Sequence, residues 1–133
     1  MPLIEWDDAF SVGNQQLDEQ HKKFFRIINT LHDAMKKGEG EEILLTVLKE
    51  FQGYTQYHFK TEESLMKLYS YPNYSNHKVE HEDAILKVNK FIIDYERKEG
   101  TLAIDVLNFL SNWLQNHILQ VDRKYIPYFH GKI

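Results

Sequence analysis

The 133-residue chain reads as all-α, an up-down-up-down four-helix bundle with an N-terminal arm packed across it. Three observations carry that reading. Four long stretches place apolar residues at three-four spacing, the pattern of a single buried helix face. Breaks that carry glycine or proline separate them. No segment alternates apolar and polar residues for long enough to build a sheet.

The elements follow in order. In residues 1–17, Trp6, Phe10, Val12 and Gly13 lack helical spacing, so this part is the arm. The first helix covers about 18–37, with Asp18 suited to cap its start. Phe24, Phe25, Ile28, Leu31 and Met35 form its stripe, and Gly38 and Gly40 end it. The second covers about 41–68, striped by Leu44, Val47, Leu48, Phe51, Tyr54, Leu65 and Met66. "YSYPNYSN", residues 69–76, turns the chain. The third covers about 75–99 and closes at Gly100, and the fourth covers about 102–126, since Pro127 cannot continue it. Without repeats, low-complexity tracts or linkers, residues 1–133 read as a single domain.

Composition removes several function classes. Net charge is -4 and no basic stripe exists, which argues against nucleic acid. Without cysteine there is no disulfide, thiolate metal site or cysteine nucleophile. The acidic start "MPLIEWDDAF" is unlike a signal peptide. No stretch approaches the ~18 apolar residues of a membrane span. The expectation is a soluble cytoplasmic protein.

Seven histidines are the unusual component. At about 100° per residue, His77 and His81 share the apolar stripe of the third helix, and His58 and Glu62 share that of the second. His117 lines up with Trp113, Leu110 and Val106, and His21 with Phe25 and Ile28. A lone inward histidine is usually a hydrogen-bonded core residue, but these converge. In an up-down bundle, the starts of helices one and three share an end with the finishes of helices two and four. His21, His58, Glu62, His77, His81, His117 and Asp122 then fall within about 15 Å of one end. A buried, unpaired Glu62 costs several kcal/mol, roughly, and a cation removes that cost. Asp122 fits least well, because five residues on an ideal helix carry it about 140° from His117. His32 lies roughly 16 Å along the first helix from His21 and reads as structural, and His130 falls in an exposed tail.

Five imidazoles and two carboxylates exceed the four ligands of a tetrahedral zinc and suit a two-metal site. Two six-coordinate irons offer roughly twelve positions; five histidines, two bridging carboxylates and one bridging oxygen leave about one for a small ligand. "HKVEH", residues 77–81, also matches the H-x-x-E-H signature of some zinc peptidases. That reading fails. Glu80 lies about 60° from His77 and 100° from His81, at the edge of the stripe. A closed bundle has no cleft for a peptide, and four other site residues stay unexplained.

Four segments in order, covering nearly the whole chain, resemble the hemerythrin family in its single-domain bacterial form. They are the arm and first histidine from Trp6 to His21, "HFKTEESLM" at 58–66, "YPNYSNHKVEH" at 71–81, and "WLQNHILQVD" at 113–122. The His117 to Asp122 spacing is the family's own. The resemblance implies two iron ions per chain with an oxo or hydroxo bridge, binding O2 reversibly for storage, delivery or sensing. It assigns His77, His81 and His117 to one iron, His21 and His58 to the other, and Glu62 and Asp122 to both. It puts Phe24, Phe59, Trp113 and Ile118 near the O2 pocket. NO and small anions such as azide are further expected ligands. The alternatives are a di-iron redox enzyme (peroxidase, oxidase or NO-handling) and an iron reservoir. Ser70 departs from the family, which often has glycine there. Tyr69, Tyr71 and Tyr74 crowd the loop at the metal end and read as a cap. Val79, Leu86 and Ile93 form an apolar seam on the outer face of the third helix. The chain reads as a monomer with that seam partly covered by the arm, or else as a dimer through it.

Overall fold

The computed structural model describes residues 3–100 and 102–129, so His130 lies outside the described residues. Four long helices form the bundle: α1 Gln15–Lys36, α2 Gly40–Leu68, α3 Tyr74–Glu96 and α4 Ala103–Asn116. A short α5, Ile126–Phe129, follows. α1 packs against α2 and α4, and α2 against α3. Among the described residues there is no strand, and no helix is long and apolar enough to cross a membrane.

The arm is fastened rather than merely draped. A single 3-10 turn, Asp8–Phe10, interrupts it. Asn29 on α1 accepts from the backbone N–H groups of Leu3 and Ile4 and donates to the Ile4 carbonyl. Trp6 and Phe10 pack on Phe25. Asp18 has a different job from the capping expected of it. α1 begins three residues earlier, where the Asn14 side chain accepts from Leu17 N–H. Asp18 instead holds the arm, accepting from Ser11 Oγ–H at 2.6 Å and Val12 N–H at 2.9 Å.

Three helices end in one geometry. The residue after the last turn adopts positive φ, and the next N–H reaches back five residues, satisfying a carbonyl the helix leaves open. Gly38 (φ 76) does this after α1, with Glu39 N–H on Ala34 O. Ser70 (φ 53) does it after α2, and Lys98 (φ 58) after α3, through Tyr71 N–H on Met66 O and Glu99 N–H on Asp94 O. α3 therefore stops at Glu96, short of the expected 99, without using Gly100 for its cap.

The fourth helix differs most from expectation. It was expected to run unbroken to about 126. Regular α-helix ends at Asn116; a π turn spans His117–Val121 and a 3-10 turn Asp122–Tyr125. Pro127 stands inside α5, in its first turn, where its missing N–H is not needed.

Candidate metal centre

Each helix delivers its polar residues on a face that is otherwise core. α1 supplies His21 beside Phe24 and Phe25, and α2 supplies His58 and Glu62 one turn apart. α3 supplies His77 and His81, again one turn apart, on the stripe of Ala84 and Val88. His117 opens the π turn, and Asp122 follows it. The π turn answers the spacing problem. Asp122 N–H bonds to His117 O, so five residues make one turn and Asp122 returns to the face of His117. All seven side chains are at most 3% exposed.

Their atoms form two groups that share both carboxylates. Ligand atoms of His77, His81, His117, Glu62 and Asp122 lie within 4.8 Å of one another, as do those of His21, His58, Glu62 and Asp122. Asp122 Oδ1 is 2.9 Å from His77 Nε2 and 3.0 Å from His117 Nε2, while its Oδ2 is 3.1 Å from His21 Nε2. Glu62 Oε1 is 3.1 Å from His81 Nε2 and 3.4 Å from His58 Nε2. Its Oε2 lies 3.7 Å from His21 Nε2 and accepts from Tyr125 Oη–H at 2.5 Å. His32, half-buried further along α1, belongs to neither group.

This arrangement is ill-suited to being a plain core. Glu62 Oε1, both Asp122 oxygens, and Nε2 of His21 and His81 are buried without a hydrogen-bond partner. His77 and His117 aim their Nε2 atoms at each other across 3.2 Å. Buried polar atoms left unpaired cost roughly 1–3 kcal/mol each. Lone pairs converging on two points are what a pair of cations requires, and imidazole with carboxylate suits iron, zinc or copper.

Protons show the same demand for positive charge. Burial alone pushes the His21 imidazole down, but Asp122 and Glu62 override it and lift it to about 9. Burial likewise opposes, and Asp122 with Glu80 overrides, at His117, which rises to about 10. His58 goes the other way, because burial outweighs Glu62. Burial favours protonated carboxyls at Glu62 and Asp122, yet the surrounding histidines hold both below the usual carboxylate range. Folded without metal, the site draws in protons to balance its acids.

Two of the outer ring nitrogens are held by groups the sequence does not single out. Gln20 Oε1 lies 2.6 Å from His58 Nδ1, and Glu63 Oε2 lies 2.9 Å from His81 Nδ1. Both oxygens accept, so each Nδ1 carries the proton and each Nε2 presents its lone pair inward. Glu80 Oε2 is 3.6 Å from His117 Nδ1, and its side chain is half-exposed. The glutamate of "HKVEH" therefore stands behind a histidine rather than over a bound water. The signals were faint: Gln20 and Glu63 are the chain neighbours of His21 and Glu62, and Tyr125 lies three residues past Asp122.

Aromatic rings wall the site. Phe59 stacks on His81 with centroids 3.8 Å apart, and Trp113 stacks on His117 at 4.6 Å. Phe24 meets the His58 ring edge-on at 5.2 Å, and Ile118 is fully buried. Phe24 thus touches the two-histidine group, whereas Trp113 touches the three-histidine group. Tyr125 lies parallel to His77, and buried Tyr71 sets its edge against both.

Known proteins share this chain's sequence and shape. The family model described as hemerythrin HHE cation binding domain matches residues 12–129. A bacteriohemerythrin of Clostridium acetobutylicum is 31% identical over 130 residues, covering 93% of this chain and 99% of its own. A hemerythrin-like protein of Naegleria gruberi is 36% identical over 122 residues, covering 92% and 90%. The crystal structure of wild-type hemerythrin superposes with a TM-score of 0.86 at 31% identity, covering 94% of this chain and 96% of that one. With its four-helix bundle and buried histidine-carboxylate cluster, the chain belongs to the hemerythrin family.

Proposed function

We propose that this protein binds O2 reversibly at a non-haem di-iron centre held by His21, His58, Glu62, His77, His81, His117 and Asp122. The observation that carries the reading is the inequality of the two donor groups: five residues converge on one point and four on the other, with Glu62 and Asp122 common to both. His77, His81 and His117 would hold one iron and His21 and His58 the other, with Glu62 and Asp122 serving both, so the two-histidine side would have room for a small ligand. A di-iron centre held there would supply the two electrons for reversible O2 binding. The chain supplies the rest. Tyr125 pins one Glu62 oxygen, and Gln20 and Glu63 fix the rings of His58 and His81. Phe24 shields the two-histidine side and Phe59 and Trp113 the other rings, with buried Ile118 as a further apolar candidate for the pocket, and such a lining would exclude water and slow loss of a charged ligand. Histidine-rich ligation brings less negative charge than carboxylate-rich di-iron sites, which favours reversible binding over oxygenase chemistry. NO and azide are candidate ligands of the same open position, and storage, delivery or sensing in the cytoplasm are the roles this activity would serve.

The test is metal content with an absorption spectrum, taken reduced under argon, after O2, and after argon again. About two irons per chain, with a charge-transfer colour that comes with O2 and goes without it, is the expected result. A single zinc without colour would overturn the proposal. Oxidation that never reverses would move the function to di-iron redox enzymology.

A further inference from the structure

The outer face of α3 carries Val79, Leu86 and Ile93, which are 54%, 66% and 46% exposed. The arm does not cover them, contrary to one sequence expectation. At about 100° per residue they fall within about 20° of one line, opposite the buried stripe of His77, Ala84 and Val88. The charges beside that line are sorted. Within about 60° of it, Glu82 and Asp83 flank the first half and Lys90 and Arg97 the second, all four exposed.

We infer that this face pairs with itself: a second copy of the chain docks its α3 antiparallel along the seam, with Leu86 on the two-fold axis. Antiparallel register about Leu86 sets each residue opposite the one equally far on the other side. Ile93 then meets Val79 of the second copy, Leu86 meets Leu86, and Lys90 meets Asp83, which the two-fold keeps on the same flank of the seam. Parallel pairing would oppose acid to acid and base to base, so the charge order selects both orientation and register. A two-fold contact needs this self-complementarity, since one patch serves both sides. Lys90 is 2.8 Å from Asp94 of its own helix, a pair that it can share with the facing Asp83 at little cost. Three apolar rungs make a small contact, below roughly 1,200 Å² in all, so the dimer forms only at high concentration.

Sedimentation equilibrium of the metal-loaded chain, up to about 1 mM, tests this. A reversible monomer–dimer equilibrium is expected. Leu86→Glu should abolish it with iron content unchanged, since Leu86 is remote from the site. Lys90→Glu should weaken it by about tenfold, and Lys90→Glu combined with Asp83→Lys should restore it. A monomer at every concentration, dimerisation that survives Leu86→Glu, or a charge swap that fails to restore it would each overturn the inference. None of these readings depends on O2 binding, so their failure leaves the proposed function standing.

Discussion

At the end of the bundle away from the histidines, Leu31, Leu44, Leu48, Val106 and Leu110 meet as a buried apolar core. At the other end the same four helices bury five histidines and two carboxylates just as deeply. The first end gains stability from burial itself. The second loses by burial and recovers what bound protons or a cation return. One end can therefore hold the fold while the other holds a site that folding alone would not favour. Deletions at the two ends should fail in different ways.

The sharpest separation comes from Asp122, whose two oxygens face both histidine groups. Asp122→Ala should cost more than half of the bound iron, because it removes a ligand common to both positions. Iron counted per chain after desalting is the measurement. Retention of the full complement would mean that the carboxylate joins neither position. The converse probe is Leu48→Ala in the apolar end. It should destabilise by about 2–5 kcal/mol, with iron content intact. Denaturant melts of the two variants, each with and without metal, complete the comparison.

Six of the seven clustered residues were legible because their polar side chains stand on apolar stripes, where chance rarely puts them. His58 with Glu62 and His77 with His81 sit four apart, so an ideal helix suffices to align them. Asp122 could not be placed in that way. Its alignment needs the π turn at His117–Val121, a backbone insertion with no marker residue. The ends of the third and fourth helices differ for a related reason. Gly100 marks the third helix's stop in the sequence, but Lys98 enters the left-handed region itself and α3 closes at Glu96, and the π turn ends α4 at Asn116. The hydrogen bonds of Gln20, Glu63 and Tyr125 depend on side-chain directions that spacing does not encode.

Acidity offers a milder way to set the two states of the site apart. In the metal-free protein His21 and His117 hold protons more tightly folded than unfolded, up to about 9 and about 10 against 6.5. Their stabilising contribution is complete below 6.5 and is lost as pH climbs through those values. Glu62 and Asp122 behave oppositely: their contribution is present above their ordinary values of 4.5 and 3.8 and is lost in acid. His58, held low by burial, subtracts stability below 6.5. The metal-free Tm should therefore fall between pH 7 and 10, roughly, while the loaded protein stays level, its ring nitrogens being occupied by metal instead of protons. Thermal melts of both forms across that range decide it, and parallel declines would show that protons are not what the metal replaces.

The smallest expected effect lies at the edge of the site. Ser70 adopts φ 53 to let Tyr71 N–H reach Met66 O, and Tyr71 is the ring set against His77. A left-handed non-glycine residue costs roughly 1–2 kcal/mol, and glycine removes that strain while adding freedom to the unfolded chain worth about 0.4–1 kcal/mol. Ser70→Gly should thus stabilise by up to about 1.6 kcal/mol, with iron content unchanged. A loss of stability would mean that the serine side chain contributes more to the turn than its backbone strain removes. An altered spectrum would mean that this turn, through Tyr71, sets the position of His77. The boundary between the two ends of the molecule would then extend past the ligands into the loop that covers them.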